Sequence, residues 1–71
     1  MENNVSELDV VALLTERSDL GLVSGQVGTV VEILDDGVFE VEFVDDEGQT
    51  YAMATLSAGE LLVLHYDPAA A

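Results

Sequence analysis

Residues Gly25 to Gly48 read GQVGTVVEILDDGVFEVEFVDDEG. Two strand-like runs lie within them, TVVEIL (Thr29 to Leu34) and VFEVEFV (Val38 to Val44), each followed by an acidic turn that ends in Gly. The second run alternates. Phe39, Val41 and Phe43 fall on one side, Glu40 and Glu42 on the other, which is the period of a half-buried strand. The turn between the runs decides their register. A two-residue loop of Asp36-Gly37 sets Glu32 on the same face as Val41, and a loop of Asp35-Asp36 sets it opposite Phe39; both bury Glu32. A three-residue loop, Asp35-Asp36-Gly37, pairs Leu34 with Val38, Ile33 with Phe39 and Val31 with Val41, with the apolar side chains inward. A type I turn followed by an αL residue is a common form of that loop, and Gly37 suits the αL position. A one-residue slip turns a whole face over, so the three-residue loop is expected. It sets Glu32 across from Glu40, with Glu42 beside Val30. Like charges opposed on a sheet are destabilising, by a few tenths to about 1 kcal/mol per pair.

Working outward, LDVVALLT (Leu8 to Thr15) reads as a strand, because its adjacent Val residues disfavour helix. Alternation sends Leu8, Val10, Ala12 and Leu14 to one face. ERSDLGLVSGQVG is a long loop with Leu20 and Leu22 tucked beneath it. QTYAMATL (Gln49 to Leu56) is a further strand. A three-residue loop, Asp46-Glu47-Gly48, turns Tyr51 and Met53 inward, and a four-residue loop turns Ala52 and Ala54 inward. The first buries the larger side chains and leaves Ala52 and Ala54 outward beside Glu42 and Glu40. SAGE (Ser57 to Glu60) matches the S-x-x-E capping pattern. With one turn available before LLVLHY (Leu61 to Tyr66), it suits a single 3₁₀ turn. Residues 1–7 read as a flexible arm, 8–66 as the folded domain and 67–71 as a tail.

The chain has 71 residues, enough for one small domain, and no Cys, so disulfides and Cys-based zinc sites are excluded. A domain of this size buries only about 60% of its unfolded surface. Its hydrophobic content of 49% is too high for a disordered acidic segment. No apolar run approaches the roughly 20 residues of a membrane span. MENNVSELD has neither a basic region nor an apolar stretch of the secretory kind, so a cytoplasmic protein is expected. Asp and Glu number 15 against a single Lys or Arg, Arg17, for a net charge of -14. Nucleic-acid binding needs cations that displace condensed counterions, and anionic membranes attract polybasic segments, so neither partner is expected. The charge suits a basic protein met by electrostatic steering. It equally suits a small apolar domain that must stay soluble, or a salt-rich host.

The fold expected is all-β: a small SH3-like barrel of about five antiparallel strands, with one short 3₁₀ turn before the last. Closing five strands on themselves removes edges that an apolar chain would otherwise expose. GQVGTVVEI, VFEVEFVDDEG and TLSAGELLVL resemble a bacterial family of small proteins, domain of unknown function 4926, over about Leu8 to Leu64. That resemblance implies no activity; it implies members that accompany partner proteins, suspected toxins among them, and so an antitoxin-like role. GQVGTVV also resembles the Gly-x-Val turn of SH3-like nucleic-acid modules, but those modules lean on basic residues that this chain lacks.

Little else carries chemistry. His65 is the one histidine, with no triad or ligand spacing around it. The carboxylates of Asp35, Asp36, Asp45, Asp46 and Glu47 do not follow EF-hand spacing. A small barrel fills its interior with side chains, which leaves no cleft for paired-carboxylate catalysis. Gly25 and Gly28 read as turn and bulge positions, and Tyr51 and Tyr66 as half-buried barrel residues or an aromatic pair. The expectation is a non-enzymatic interaction module without cofactor or metal. Its basic protein partner meets Glu32, Glu40, Glu42, Asp45, Asp46 and Glu47. The alternative is an accessory subunit of a larger complex, held through Leu20, Leu22 or an open sheet edge.

Overall fold

The computed structural model describes residues 5–66. The first four residues of the expected arm and the expected tail, residues 67–71, lie outside them. Five antiparallel strands run β1 (Val10–Leu13), β2 (Val27–Asp35), β3 (Val38–Val44), β4 (Thr50–Ser57) and β5 (Leu61–Val63). They form one sheet in the order β4-β3-β2-β1-β5. A 3₁₀ turn, Ala58–Glu60, leads directly into β5, and a second one, Ser18–Leu20, lies in the β1–β2 loop. This is the all-β arrangement of five antiparallel strands expected, compatible with a small SH3-like barrel, with one more 3₁₀ turn than expected. Among the described residues β4 and β5 do not pair, so the edges that closure was expected to remove remain. All five strands and Leu22 of the loop contribute to a single core: Val11, Leu13, Val30, Phe39, Val41, Phe43, Ala54, Leu56 and Leu61. One cluster fed by every strand requires the sheet to curl on itself.

The strand β3 faces as its alternation dictates. Phe39, Val41 and Phe43 are buried while Glu40 and Glu42 point outward and are half-buried. Ile33 pairs with Phe39 and Glu32 with Glu40, as expected. Gly37 takes the αL conformation, φ 73°. Two irregularities depart from the simple register. Pairing continues to Asp35 with Val38, which leaves a two-residue loop, Asp36-Gly37, instead of the three-residue loop and Leu34–Val38 pair expected. Leu34 becomes an extra residue on β2, and that bulge restores the facing of Ile33 and Glu32. A second bulge at Val31 sets Val30, not Val31, opposite Val41, and Glu42 opposite Thr29 rather than Val30. Val30 is therefore the core residue and Val31 only half-buried. Ile33, expected inward, is 51% exposed. It shares Phe39's face, but β1 pairs with β2 only from Val27 to Thr29, so among the described residues no strand covers the hairpin end.

At the other hairpin the three-residue loop is present. The Asp45 N–H donates to the Gln49 carbonyl at 2.9 Å, with Asp46, Glu47 and Gly48 between. The facing of β4 is nonetheless the reverse of that expected from this loop. Tyr51 is an extra residue between the pairs Val44–Thr50 and Phe43–Ala52, and it turns the rest of the strand over. Ala54 and Leu56 are buried; Tyr51 and Met53 are about half exposed. The reason is volume. Ala52 lies opposite Phe43 and Ala54 opposite Val41, so small side chains meet large ones in a space the Phe rings already fill.

The strand β1 is shorter than expected. Leu8 has φ 73°, which ends extended backbone there, and it is 72% exposed. The core face of β1 is Val11 and Leu13, opposite to that of Leu8, Val10, Ala12 and Leu14. Val5 is partly buried against the core. In the loop Leu22 is buried, whereas Leu20 is not.

Gly28 is in β2 and makes no bulge or turn. A Cβ there would lie 2.7 Å from Val41 Cγ1, 2.9 Å from the Glu42 carbonyl oxygen and 3.0 Å from Phe43 Cδ2. The missing side chain lets β2 lie directly against β3 beneath the Phe43 ring.

Candidate interaction surface

Three of the expected contact residues share one solvent face. Glu32 on β2 is the cross-strand partner of Glu40 on β3, and Glu42 lies two residues further along β3. The next strand, β4, sets Thr55 beside Glu40 and Met53 beside Glu42. Thr55 Oγ1 donates to Glu40 Oε1 at 2.9 Å, and Thr50 Oγ1 donates to Glu42 Oε2. Each hydroxyl steadies a carboxylate without neutralising it. Ala52 and Ala54, expected on this face, are on the other.

Asp45, Asp46 and Glu47 do not join this strip; they form the β3–β4 turn. Asp45 is a structural carboxylate. Its Oδ1 accepts from the backbone N–H of Glu47 and of Gln49, both at 2.9 Å, and Gly48 closes the turn with φ 83°. Such side-chain capping of turn donors is a habit of Asp. Asp46 and Glu47 are exposed.

Among the described residues no Lys or Arg lies on the strip, since Arg17 is engaged elsewhere. Its Nη1 lies 3.1 Å from Glu60 Oε2 and its Nε 3.2 Å from Asp19 Oδ1. Glu60 uses both oxygens. Its Oε1 accepts from the Ser57 N–H at 3.0 Å, as the expected capping box requires, and also from Ser57 Oγ at 3.2 Å, while Oε2 holds Arg17. The Leu14 N–H donates to the Glu60 carbonyl at 2.8 Å. The turn before β5 is thereby tied to the β1–β2 loop. Sequence reasoning missed this link. The available signal was an S-x-x-E box whose Glu has a spare oxygen, in a chain with one cation.

The Ser57 N–H, and after it the Arg17 guanidinium, hold the Glu60 carboxyl below the usual glutamate range. A carboxyl with a depressed folded pKa contributes stability that is full above its unfolded pKa, about 4.3, and lost as pH falls through the lower folded value. Replacing Glu60 with Gln keeps an acceptor for the capping box but removes the charge that faces Arg17 and the Ser57 N–H. A loss of at most about 1 kcal/mol at pH 7 is therefore expected, the range of a partly exposed ion pair. The difference from wild type should shrink below about pH 4. Urea melts of both proteins from pH 7 to pH 3 check this; a difference that does not change with pH would show that the Glu60 charge contributes nothing.

Other candidates stay apart. His65 and Tyr66 are exposed beyond the end of β5. Tyr51 lies against Phe43, ring centroids 6.2 Å apart, and its hydroxyl is 3.3 Å from Gln26 Nε2. Among the described residues, no three His, Cys, Asp or Glu side chains come together as a metal would need. Among the same residues no helix is long and apolar enough to cross a membrane.

The model of one protein family, Domain of unknown function (DUF4926), matches residues 7–63. The chain belongs to that family. The match to DUF4926 ends with the last residue of β5 and spans all five strands, the Glu32–Glu40–Glu42 strip and the capping box. No curated protein and no solved structure matches this DUF4926 chain.

Proposed function

We propose that this DUF4926 domain is a non-enzymatic interaction module whose outer β2–β3 face docks on a basic protein. The observation that carries the reading is Glu32 opposed to Glu40, with Glu42 beside them and the one Arg engaged elsewhere. Opposed carboxylates destabilise the free sheet slightly, and a cationic surface laid over them removes that repulsion. Neutralising a basic protein, as an antitoxin does, needs only charge complementarity and steric cover. The turn residues Asp46 and Glu47 extend the negative field beyond Val44, and Asp45 positions them. The accessory-subunit reading loses one of its contacts, since Leu22 is in the core.

The test exploits two effects of opposite sign. The double variant Glu32→Gln/Glu40→Gln should be more stable than wild type when free, by at most about 1 kcal/mol. The same variant should bind a ten-residue oligolysine peptide more weakly, and wild-type amide shifts on peptide addition should centre on Glu32, Glu40 and Glu42. A variant that is more stable yet binds the peptide as well as wild type would reduce the strip to a solvated face.

A further inference from the structure

The sheet has two edges, β4 and β5. They are treated very differently. The strand β5 is three residues long, too short to template another strand. The strand β4 has eight residues, TYAMATLS, with no charge and no Pro. Among the described residues it pairs with β3 on one side only, and of its backbone N–H groups that of Ser57 is taken by Glu60 Oε1. Natural edges of that length are blunted by inward charges, Lys, Pro or bulges, because a bare row of N–H and C=O groups invites another chain. The single bulge here, at Tyr51, is near the start of β4 and leaves Ala52 to Ser57 in regular pairing. In a chain carrying 15 acidic side chains, these eight positions hold none.

We infer that the β4 edge accepts an extended segment of the basic partner as a sixth strand, with basic residues alternating with apolar ones. Strand addition of this kind draws affinity from main-chain hydrogen bonds and specificity from alternate side chains. The cross-strand rows set the pattern. One row runs Glu32, Glu40, Thr55, and its neighbour runs Thr29, Glu42, Met53. A side chain added next in either row lies two strand spacings, roughly 9.5 Å, from the Glu backbone. Lys or Arg reaching across Thr55 or Met53 meets the carboxylate within that span. On the opposite face the added strand flanks Ala54 and Leu56, which are buried, so its intervening residues are apolar. A second copy fits less well. Antiparallel β4–β4 pairing brings the Asp46–Glu47 turn of each copy toward the other's β4 end near Glu60, between two chains of net charge -14.

The inference rests on the reading that the acidic face meets a basic partner, and the test separates the two. The probe is a ten-residue peptide of alternating Lys and Val, compared with a ten-residue oligolysine. Two further versions carry backbone N-methyl groups, one on the Lys positions and one on the Val positions. The N–H groups of an extended peptide alternate in direction, so only one methylated set faces β4. Wild-type protein should bind the Lys-Val peptide with slowed amide exchange at alternate β4 residues. One methylated version should lose affinity by about tenfold or more, since it forfeits several hydrogen bonds, and the other should keep it. Equal binding of both methylated versions, or no protection in β4, would overturn strand addition. If oligolysine then still shifts Glu32, Glu40 and Glu42, the acidic-face reading survives that failure; if it does not, both fall. Dimers that form as salt rises, with β4 amides protected, would assign the edge to a second copy and equally overturn the inference.

Discussion

Gly28→Ala is expected to destabilise the domain by about 1–3 kcal/mol, the usual result of forcing a methyl group into a packed interior. The contacts leave little room for relief. One of the three atoms in the way is the Glu42 carbonyl oxygen, held in the β2–β3 ladder, and another belongs to the buried Phe43 ring. Val at the same position should leave the protein largely unfolded, because a chain of 71 residues has roughly 4–10 kcal/mol of stability in total. Gly59 is the control: nothing lies within 4 Å of its added Cβ, and Gly59→Ala should be neutral or slightly stabilising. Urea denaturation of the three variants checks this. Gly28→Ala with wild-type stability would mean that β2 does not lie so close to β3.

The second large effect contrasts two residues that face each other across the same strand pair. Phe39→Ala should remove about 3–5 kcal/mol, a transfer loss plus a cavity. For so small a domain that approaches full unfolding. Ile33→Ala, its cross-strand partner, should change stability by less than about 1 kcal/mol, since half of Ile33 is already in water. Simple alternation assigns both to the core. Equal losses at the two positions, measured by thermal or urea unfolding, would mean that the hairpin end is covered after all.

That contrast shows where sequence reading stops. The facing of β3 was legible because Phe39, Val41 and Phe43 alternate with glutamates, and water and oil cannot exchange sides. The capping box at Ser57 and the αL turn at Gly37 were legible because each rests on a local chemical need. Errors enter at the extra residues. Val30 and Val31 are identical in chemistry, so nothing in the sequence says which one a bulge leaves inward. Tyr51 hides a bulge in the same way: the loop Asp46-Glu47-Gly48 was read rightly, and the strand after it faced wrongly. Its facing is decided by volume across the core, with Ala52 and Ala54 opposite large side chains, and alternation is blind to volume.

The candidate site divides along the same line. The Glu32–Glu40 opposition depends on β3 and on the pairing at Ile33–Phe39, both of which survive the bulges. The neighbours Thr55 and Met53 depend on β4, and so were misassigned. The charge of Asp45 is visible in the sequence, whereas the two backbone N–H groups its carboxylate accepts from are not. The Arg17–Glu60 pair joins residues 43 apart in the chain, and only the fold reveals it.

The central claim, that the acidic face binds a basic protein, is tested most directly by paired capture. Tagged wild-type and Glu32→Gln/Glu40→Gln proteins are used as bait in extract of the native host, at low and at physiological salt, with quantitative mass spectrometry. The account predicts a protein of high isoelectric point enriched on wild type, depleted on the double variant and depleted by salt. The same proteins retained equally on both baits at both salt levels would contradict it.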